Sequence, residues 1–152
     1  MSTTVVAVGK KHESWVADGI ARYSKRLRKP YDLTWRLLPH SAKDHDAARA
    51  EESAKILQTL KPHQHVILLD ERGTNLSSPA LAAHLQRQYD SGTEVAIIIG
   101  GAYGVSQDLH HRANLTWSLS SLVFPHQLVR LILTEQLYRA QEISAGRSYH
   151  HV

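Results

Sequence analysis

Two hydrophobic periods take turns along this chain. Short unbroken apolar runs, rich in β-branched residues and closed by glycine or a polar turn, mark buried strands at residues 3–8, 66–69 and 95–99. Between them the apolar residues recur three and four apart, the spacing of a helix with one buried face. Trp15, Val16, Ile20, Tyr23 and Leu27 form the first such stripe, which starts at Ser14 and stops before Pro30. Residues 32–38 read as a second strand, 39–46 as a polar loop, and 47–60 as an Ala- and Glu-rich helix ending at Lys61-Pro62. The strand at 66–69 is closed by Asp70 and a turn-like Arg72-Gly73. Ser78-Pro79 then offers an N-cap and a first-turn proline for a helix through Tyr89. A short helix at 106–112 and a strand at 115–119 follow Gly104. Pro125 opens a long amphipathic helix ending near Gly146, with Leu128, Leu131, Ile132 and Leu137 on its apolar side and Arg130, Glu135 and Arg139 on its charged side. Strands alternating with helices predict an α/β fold, a mostly parallel sheet flanked by helices. A length of 152 residues, with no repeat or linker, predicts one domain spanning 1–152.

Composition narrows the chemistry. The absence of cysteine excludes disulfides, thiolate metal sites and a cysteine nucleophile, and fits a reducing, cytoplasmic setting. No apolar run is long enough for a bilayer, and the run at 5–8 lacks the basic segment that precedes a secretory signal. Lys plus Arg exceed Asp plus Glu, 18 to 14, a mild bias toward polyanionic partners. Five of those cations, Arg22, Lys25, Arg26, Arg28 and Lys29, cluster without an anion; they suit a phosphate backbone and equally a solvated helix face. Eleven histidines fall partly in close pairs, but residues one or two apart do not share a helical face and no H-E-x-x-H is present, so no metal site is assigned. No G-x-S-x-G elbow supports a hydrolase.

Three segments carry candidate chemistry. Ile99-Gly100-Gly101-Ala102-Tyr103-Gly104 follows a buried strand directly, where glycines admit a ligand close to the backbone; an ordinary tight turn would also carry them. Its spacing is neither that of a dinucleotide fold nor that of a P-loop. Trp117 to His126 places small polar residues beside an apolar stretch, a surface suited to an adenine ring and also to a plain serine-rich loop. The last helix and the tail supply Glu135, Gln136, Tyr138, Arg139, Tyr149 and His150, residues able to contact RNA or move a proton, although lone arginines on a helix ordinarily face solvent.

Taken in order, Val6-Ala7-Val8-Gly9-Lys10, Ile99-Gly100-Gly101-x-x-Gly104, Phe124-Pro125-His126-Gln127, Glu135-Gln136-Leu137-Tyr138-Arg139-Ala140 and the closing Tyr149-His150 resemble the ribosomal RNA large subunit methyltransferase H family of the SPOUT superfamily, over nearly the whole chain. The resemblance implies a C-terminal trefoil knot, a homodimer, and S-adenosylmethionine as methyl donor to N3 of a pseudouridine in large-subunit (23S) rRNA, within the large subunit or the assembled ribosome. Carried over by motif, the cofactor contacts are Leu69, Gly100, Leu119, Ser120, Ser121, Leu122, Val123 and Phe124. The substrate side is His126, Arg139, Tyr149 and His150. Arg139, Tyr149 and His150 are expected to be catalytic, with Tyr149 or His150 near the N3 proton and Arg139 offsetting charge. A non-catalytic RNA-binding module and a nucleotide-binding regulator are the competing classes; neither needs both the glycine turn and the apolar loop.

Overall fold

The computed structural model describes residues 1–151. Its elements run β1 (Thr3–Val8), α1 (Ser14–Ser24), β2 (Leu33–Leu38), α2 (His45–Thr59), β3 (His65–Asn75), α3 (Ser78–Asp90), β4 (Val95–Ile99), α4 (Gln107–Arg112), β5 (Leu115–Ser118) and α5 (His126–Ser144). The strands form one sheet in the order β2-β1-β4-β3-β5, and every pairing is parallel. Parallel strands need crossovers, so both faces are covered, and the central strands can be apolar throughout. Alternate residues point to opposite faces. Val5, Ala7, Ile67, Ile97 and Ile99 meet Leu81 and Leu85 of α3 and Leu133 and Leu137 of α5. Val6, Val8, Leu68, Ala96 and Ile98 meet Ile56 of α2 and Leu109 of α4. All five residues of β4 are buried, as their unbroken apolar run requires.

Several boundaries differ from the sequence expectation for physical reasons. α1 ends at Ser24, so of the five clustered cations only Arg22 lies on the helix. Lys25, Arg26, Arg28 and Lys29 sit on the connection after it, where Leu27 stays buried and holds the segment down. α2 begins at His45, inside the expected loop. The N-cap of α3 is Ser77, whose hydroxyl accepts from Ala80 N at 3.1 Å, and not Ser78.

The larger correction is β3. Arg72-Gly73 does not end the strand: Trp117 of β5 pairs with both Leu69 and Thr74, so residues 70–73 bulge out and the strand rejoins the ladder. A Cβ on Gly73 would lie 2.5 Å from the Thr116 carbonyl oxygen, which explains glycine where the bulge returns. Arg130 is the other surprise. Expected on the charged side of α5, it is 1% exposed and packed beneath the end of β1.

Candidate active site

A cleft of about 510 Å³ opens at the carboxyl ends of β3, β4 and β5, where ligands bind in open α/β sheets. Three chain segments that are distant in sequence line it. From β3 come Leu69 and the bulge, Asp70 to Arg72. From β4 come Ile99 and the glycine turn, Gly100 to Gly104. After β5 come Leu119, Ser120, Leu122, Val123, Phe124 and His126. Seven of the eight expected cofactor residues therefore share one cavity, and Ser121 alone is absent from its lining. His126, expected on the substrate side, also faces it.

The walls are preformed by local hydrogen bonds. Ser118 Oγ donates to the Ser120 carbonyl at 2.8 Å, and Ser120 Oγ accepts from Leu122 N at 3.0 Å. Asn75 Nδ2 ties β3 to the Ser118 carbonyl at 3.1 Å. The Asp70 carboxylate folds the bulge by accepting from Arg72 N at 2.9 Å. Behind the glycine turn stands α2. Ser53 Oγ accepts from Ser106 N at 2.9 Å, and the buried Glu52 accepts from Ser41 N at 2.9 Å through Oε2. A Cβ on Gly101 would lie 2.3 Å from Glu52 Oε1, so at Gly101 the need is for close approach. Gly104, at φ +78, needs the left-handed conformation itself.

What this cavity can hold follows from its groups. Two sheet-end turns offer main-chain donors and acceptors, Leu122 and Val123 are the most exposed large apolar side chains, and the buried indole N–H of Trp117 has no partner among the described residues. A cleft between main-chain turns and an apolar flap matches an adenosine-like ligand, with polar ring edges and apolar faces.

Arg139, Tyr149 and His150 gather elsewhere. Arg139 donates to Glu135 Oε2 at 2.8 Å and to Oε1 at 3.3 Å, and approaches His150 Nδ1 at 3.0 Å. Tyr149 OH donates to Glu135 Oε2 at 2.9 Å, with the guanidinium carbon 4.8 Å above its ring. Burial and that hydrogen bond push the Tyr149 phenol above its ordinary value, and the Glu135 hydrogen bond raises Arg139 as well. Glu135 is the hub that sequence reasoning named without assigning a role; its helical spacing of four from Arg139 was the available signal. None of these residues lines the cleft. Thirteen positions of α5 separate His126 from Arg139, about 20 Å at 1.5 Å per residue.

Arg49, Asp70, Glu71, Arg72, Tyr103, Trp117 and Val129 line the cleft without having been singled out as ligand contacts from sequence. Among the described residues no group of three or more His, Cys, Asp or Glu is placed to hold a metal ion.

The five-stranded parallel sheet, with its cleft at the ends of β3, β4 and β5, is that of a chain in the SPOUT methyltransferase class. A family model described as "Predicted SPOUT methyltransferase" matches residues 1–150. A crystal structure described as a probable methyltransferase from Bordetella pertussis Tohama I shares the fold at a TM-score of 0.56, with 12% identity, over 91% of this chain and 96% of that one. Proteins named "Ribosomal RNA large subunit methyltransferase H" from Dichelobacter nodosus and Geotalea daltonii are 39% and 41% identical, each over 99% of this chain and 99% and 100% of their own lengths. The chain belongs to that ribosomal RNA large subunit methyltransferase H family.

Proposed function

We propose that this protein is an S-adenosylmethionine-dependent methyltransferase that modifies N3 of a pseudouridine in large-subunit rRNA. The observation that carries the reading is the single cavity shared by Leu69, Gly100, Leu119, Ser120 and residues 122–124. Bound there, S-adenosylmethionine supplies a methyl group on a sulfonium, a leaving group good enough that no covalent enzyme intermediate is needed. The protein's task is then to align the donor with the base and to exclude water. The turn backbones would hold the adenosine, and Leu122 and Val123 would close over it. A non-catalytic RNA-binding module leaves this cleft without a purpose.

We further infer a homodimer. In one protomer Arg139 lies ten residues, about 15 Å along α5, beyond Val129, the last helix residue lining the cleft, and no member of its cluster lines it. Leu128, Leu131, Ile132 and Glu135 form a half-exposed stripe on α5, and with Trp15, Gly19 and Tyr23 of α1 they border a shallow groove. Midway between positions 126 and 139 fall Ile132 and Leu133, so an antiparallel α5 contact about a two-fold axis at the stripe sets His126 of one protomer opposite Arg139 of the other. The site is then shared: one copy holds the donor, while Arg139, Tyr149 and His150 of the other hold the base and are catalytic. The cations at 22–29, none paired with a carboxylate among the described residues, lie at the same end as that cluster, since Arg28 N donates to Gln141 Oε1 at 2.7 Å. They suit the flanking phosphates.

We infer a C-terminal trefoil knot from membership of the SPOUT family. The chain acts as one domain, in the cytoplasm where ribosomes are; no described helix is long and apolar enough to cross a membrane. Calorimetry with S-adenosylmethionine, and mapping of N3-methylpseudouridine in rRNA from cells lacking the protein, test the activity. Failure to bind the donor, or rRNA methylation unchanged by the loss, ends this reading; a fully active monomer by light scattering ends the shared site.

A further inference from the structure

Arg130 is a buried charge that the proposed chemistry has not used. Its Nη2 donates to the carbonyls of Val8 at 3.0 Å and Gly9 at 3.3 Å, and its Nη1 to that of Lys11 at 3.2 Å, with His12 Nδ1 at 3.3 Å. No carboxylate pairs with it among the described residues, and its Nε has no partner. Carbonyls take up the Nη donors but leave Nε–H unpartnered and the positive charge uncompensated in a buried site, an arrangement that costs stability and needs a reason.

The neighbour it acts on is His126, one turn earlier on α5. His126 lines the cleft, is half-buried, and no hydrogen bond among the described residues engages its ring. The groups facing it are Arg130 on α5, His40 after β2 and Glu52 on α2. Burial, then Arg130 and His40, hold its imidazole below the ordinary 6.5, while Glu52 pulls the other way. At neutral pH the ring is uncharged and carries a free lone pair. Tyr149 and His150 are poorer candidates for a base: the phenol proton is already given to Glu135, and His150 Nδ1 is taken by Arg139.

We propose that His126 is the proton acceptor of the methyl transfer and that Arg130 is the positioning residue that keeps its imidazole free to accept. The inference rests on the pseudouridine-N3 reading above. The electron pair of the N3–H bond becomes the bond from N3 to the methyl carbon, the proton passes to His126, and the carbon–sulfur pair remains on sulfur. The positive charge that leaves the donor reappears as imidazolium, and repulsion from Arg130 returns that proton to water before the next turnover.

The test combines the pH profile of single-turnover methylation with an NMR titration of the His126 ring in donor-free protein. In wild type both report an acid limb below pH 6.5. His126→Asn lowers the single-turnover rate by roughly 10²- to 10⁴-fold and removes that limb, with donor affinity held within about threefold. Arg130→Gln moves the His126 midpoint up toward 6.5 and slows turnover at pH 6 by up to about fourfold more than at pH 8.5, while Arg130→Lys restores both. If Arg130→Gln does not fold, His126→Asn and the wild-type titration still decide. A His126→Asn enzyme that keeps the acid limb, or a His150→Asn enzyme that loses it, overturns the proposal. So does an Arg130→Gln profile depressed equally at every pH with an unmoved His126 midpoint. Failure of the methyltransferase reading itself would show earlier, as wild-type protein that neither binds donor nor methylates rRNA.

Discussion

The two ends of α5 are built on opposite principles. At its N-terminal end the cleft is assembled from strand ends remote in sequence and held by serine hydroxyls, a bulge and glycines pressed against α2. At its C-terminal end Glu135, Arg139, Tyr149 and His150 form a compact knot of side chains on one helix and the tail that follows it. A backbone-made site recognises a ligand by shape and is intolerant of an added methyl group. A side-chain cluster works by charge and tolerates small changes in proportion to the bond removed. Within one protomer, no member of the second end lines the cleft of the first.

The largest effect should come from separating the ends genetically. Gly101→Val, which drives a β-branched side chain into Glu52, should abolish donor binding, and Arg139→Ala/His150→Ala should cut turnover by at least about 10³-fold while donor affinity changes little. Mixed in equal amounts and allowed to exchange subunits, the two inactive proteins should recover about a quarter of wild-type activity, since half the dimers contain one intact shared site. No recovery would place both ends of the chemistry in a single protomer and erase the contrast drawn here.

A finer probe of the backbone-made end is Gly101→Ala. Its Cβ would stand 2.3 Å from Glu52 Oε1, the end of a buried side chain whose other oxygen accepts from Ser41 N, so relief requires that carboxylate to swing aside and give up its hydrogen bond. Overpacking of this kind costs about 1–3 kcal/mol, and the expectation is a donor Kd weakened by roughly 5- to 150-fold in calorimetry, with the fold retained. Unchanged affinity would show that the turn gives way freely and is not a rigid wall.

How much of each end was legible in the sequence follows from the same contrast. The glycine turn and the loop from Leu119 to Phe124 were visible as the ends of strands, but an ordinary turn and a serine-rich loop fit them equally, and the family motifs in combination singled them out. The strands themselves were legible from unbroken apolar runs such as 95–99. Glu52 and the bulge at 70–73 were not, because their roles depend on how α2 and β5 approach, which no local period encodes. Arg130 was misread for a stronger reason: charge on a helix is read as solvent exposure, and here three carbonyl groups from the β1–α1 connection replace water. Arg139 and Tyr149 were recognised through family motifs, and the residue that joins them, Glu135, became evident only with the tail folded back onto the helix.

At the side-chain end a milder change should act in proportion. Tyr149→Phe removes one hydrogen bond to Glu135 but leaves the ring beneath Arg139 and against Tyr138, where the centroids are 4.8 Å apart. A single such bond contributes about 0.5–1.5 kcal/mol, so turnover should fall by roughly two- to tenfold with donor affinity unaltered. A loss as large as that of the double variant would mean the hydroxyl itself touches the reacting base.

The smallest effect is on stability, and its sign is fixed by histidines at both ends of the sheet's strands. His126 and His12 near Arg130, and the His65 and His84 pair at 2.8 Å between their Nε2 atoms, all titrate below the ordinary 6.5, burial being the first cause in each. In the unfolded chain these rings take up protons near 6.5, and in the folded protein only at lower pH. The unfolded state therefore binds more protons across that interval, and stability present above pH 6.5 is lost as the pH falls toward the folded values. Thermal melting of donor-free protein should show a drop of roughly a few degrees between pH 7.5 and pH 5, above the range where carboxylates titrate. Replacing His84 with Asn should flatten part of that slope, and His126→Asn another part, because each removes a ring that must be neutral to stay folded. A melting temperature that holds steady or rises on acidification would mean that these imidazoles are charged in the folded protein, and a charged His126 beside Arg130 could not take a proton from the base.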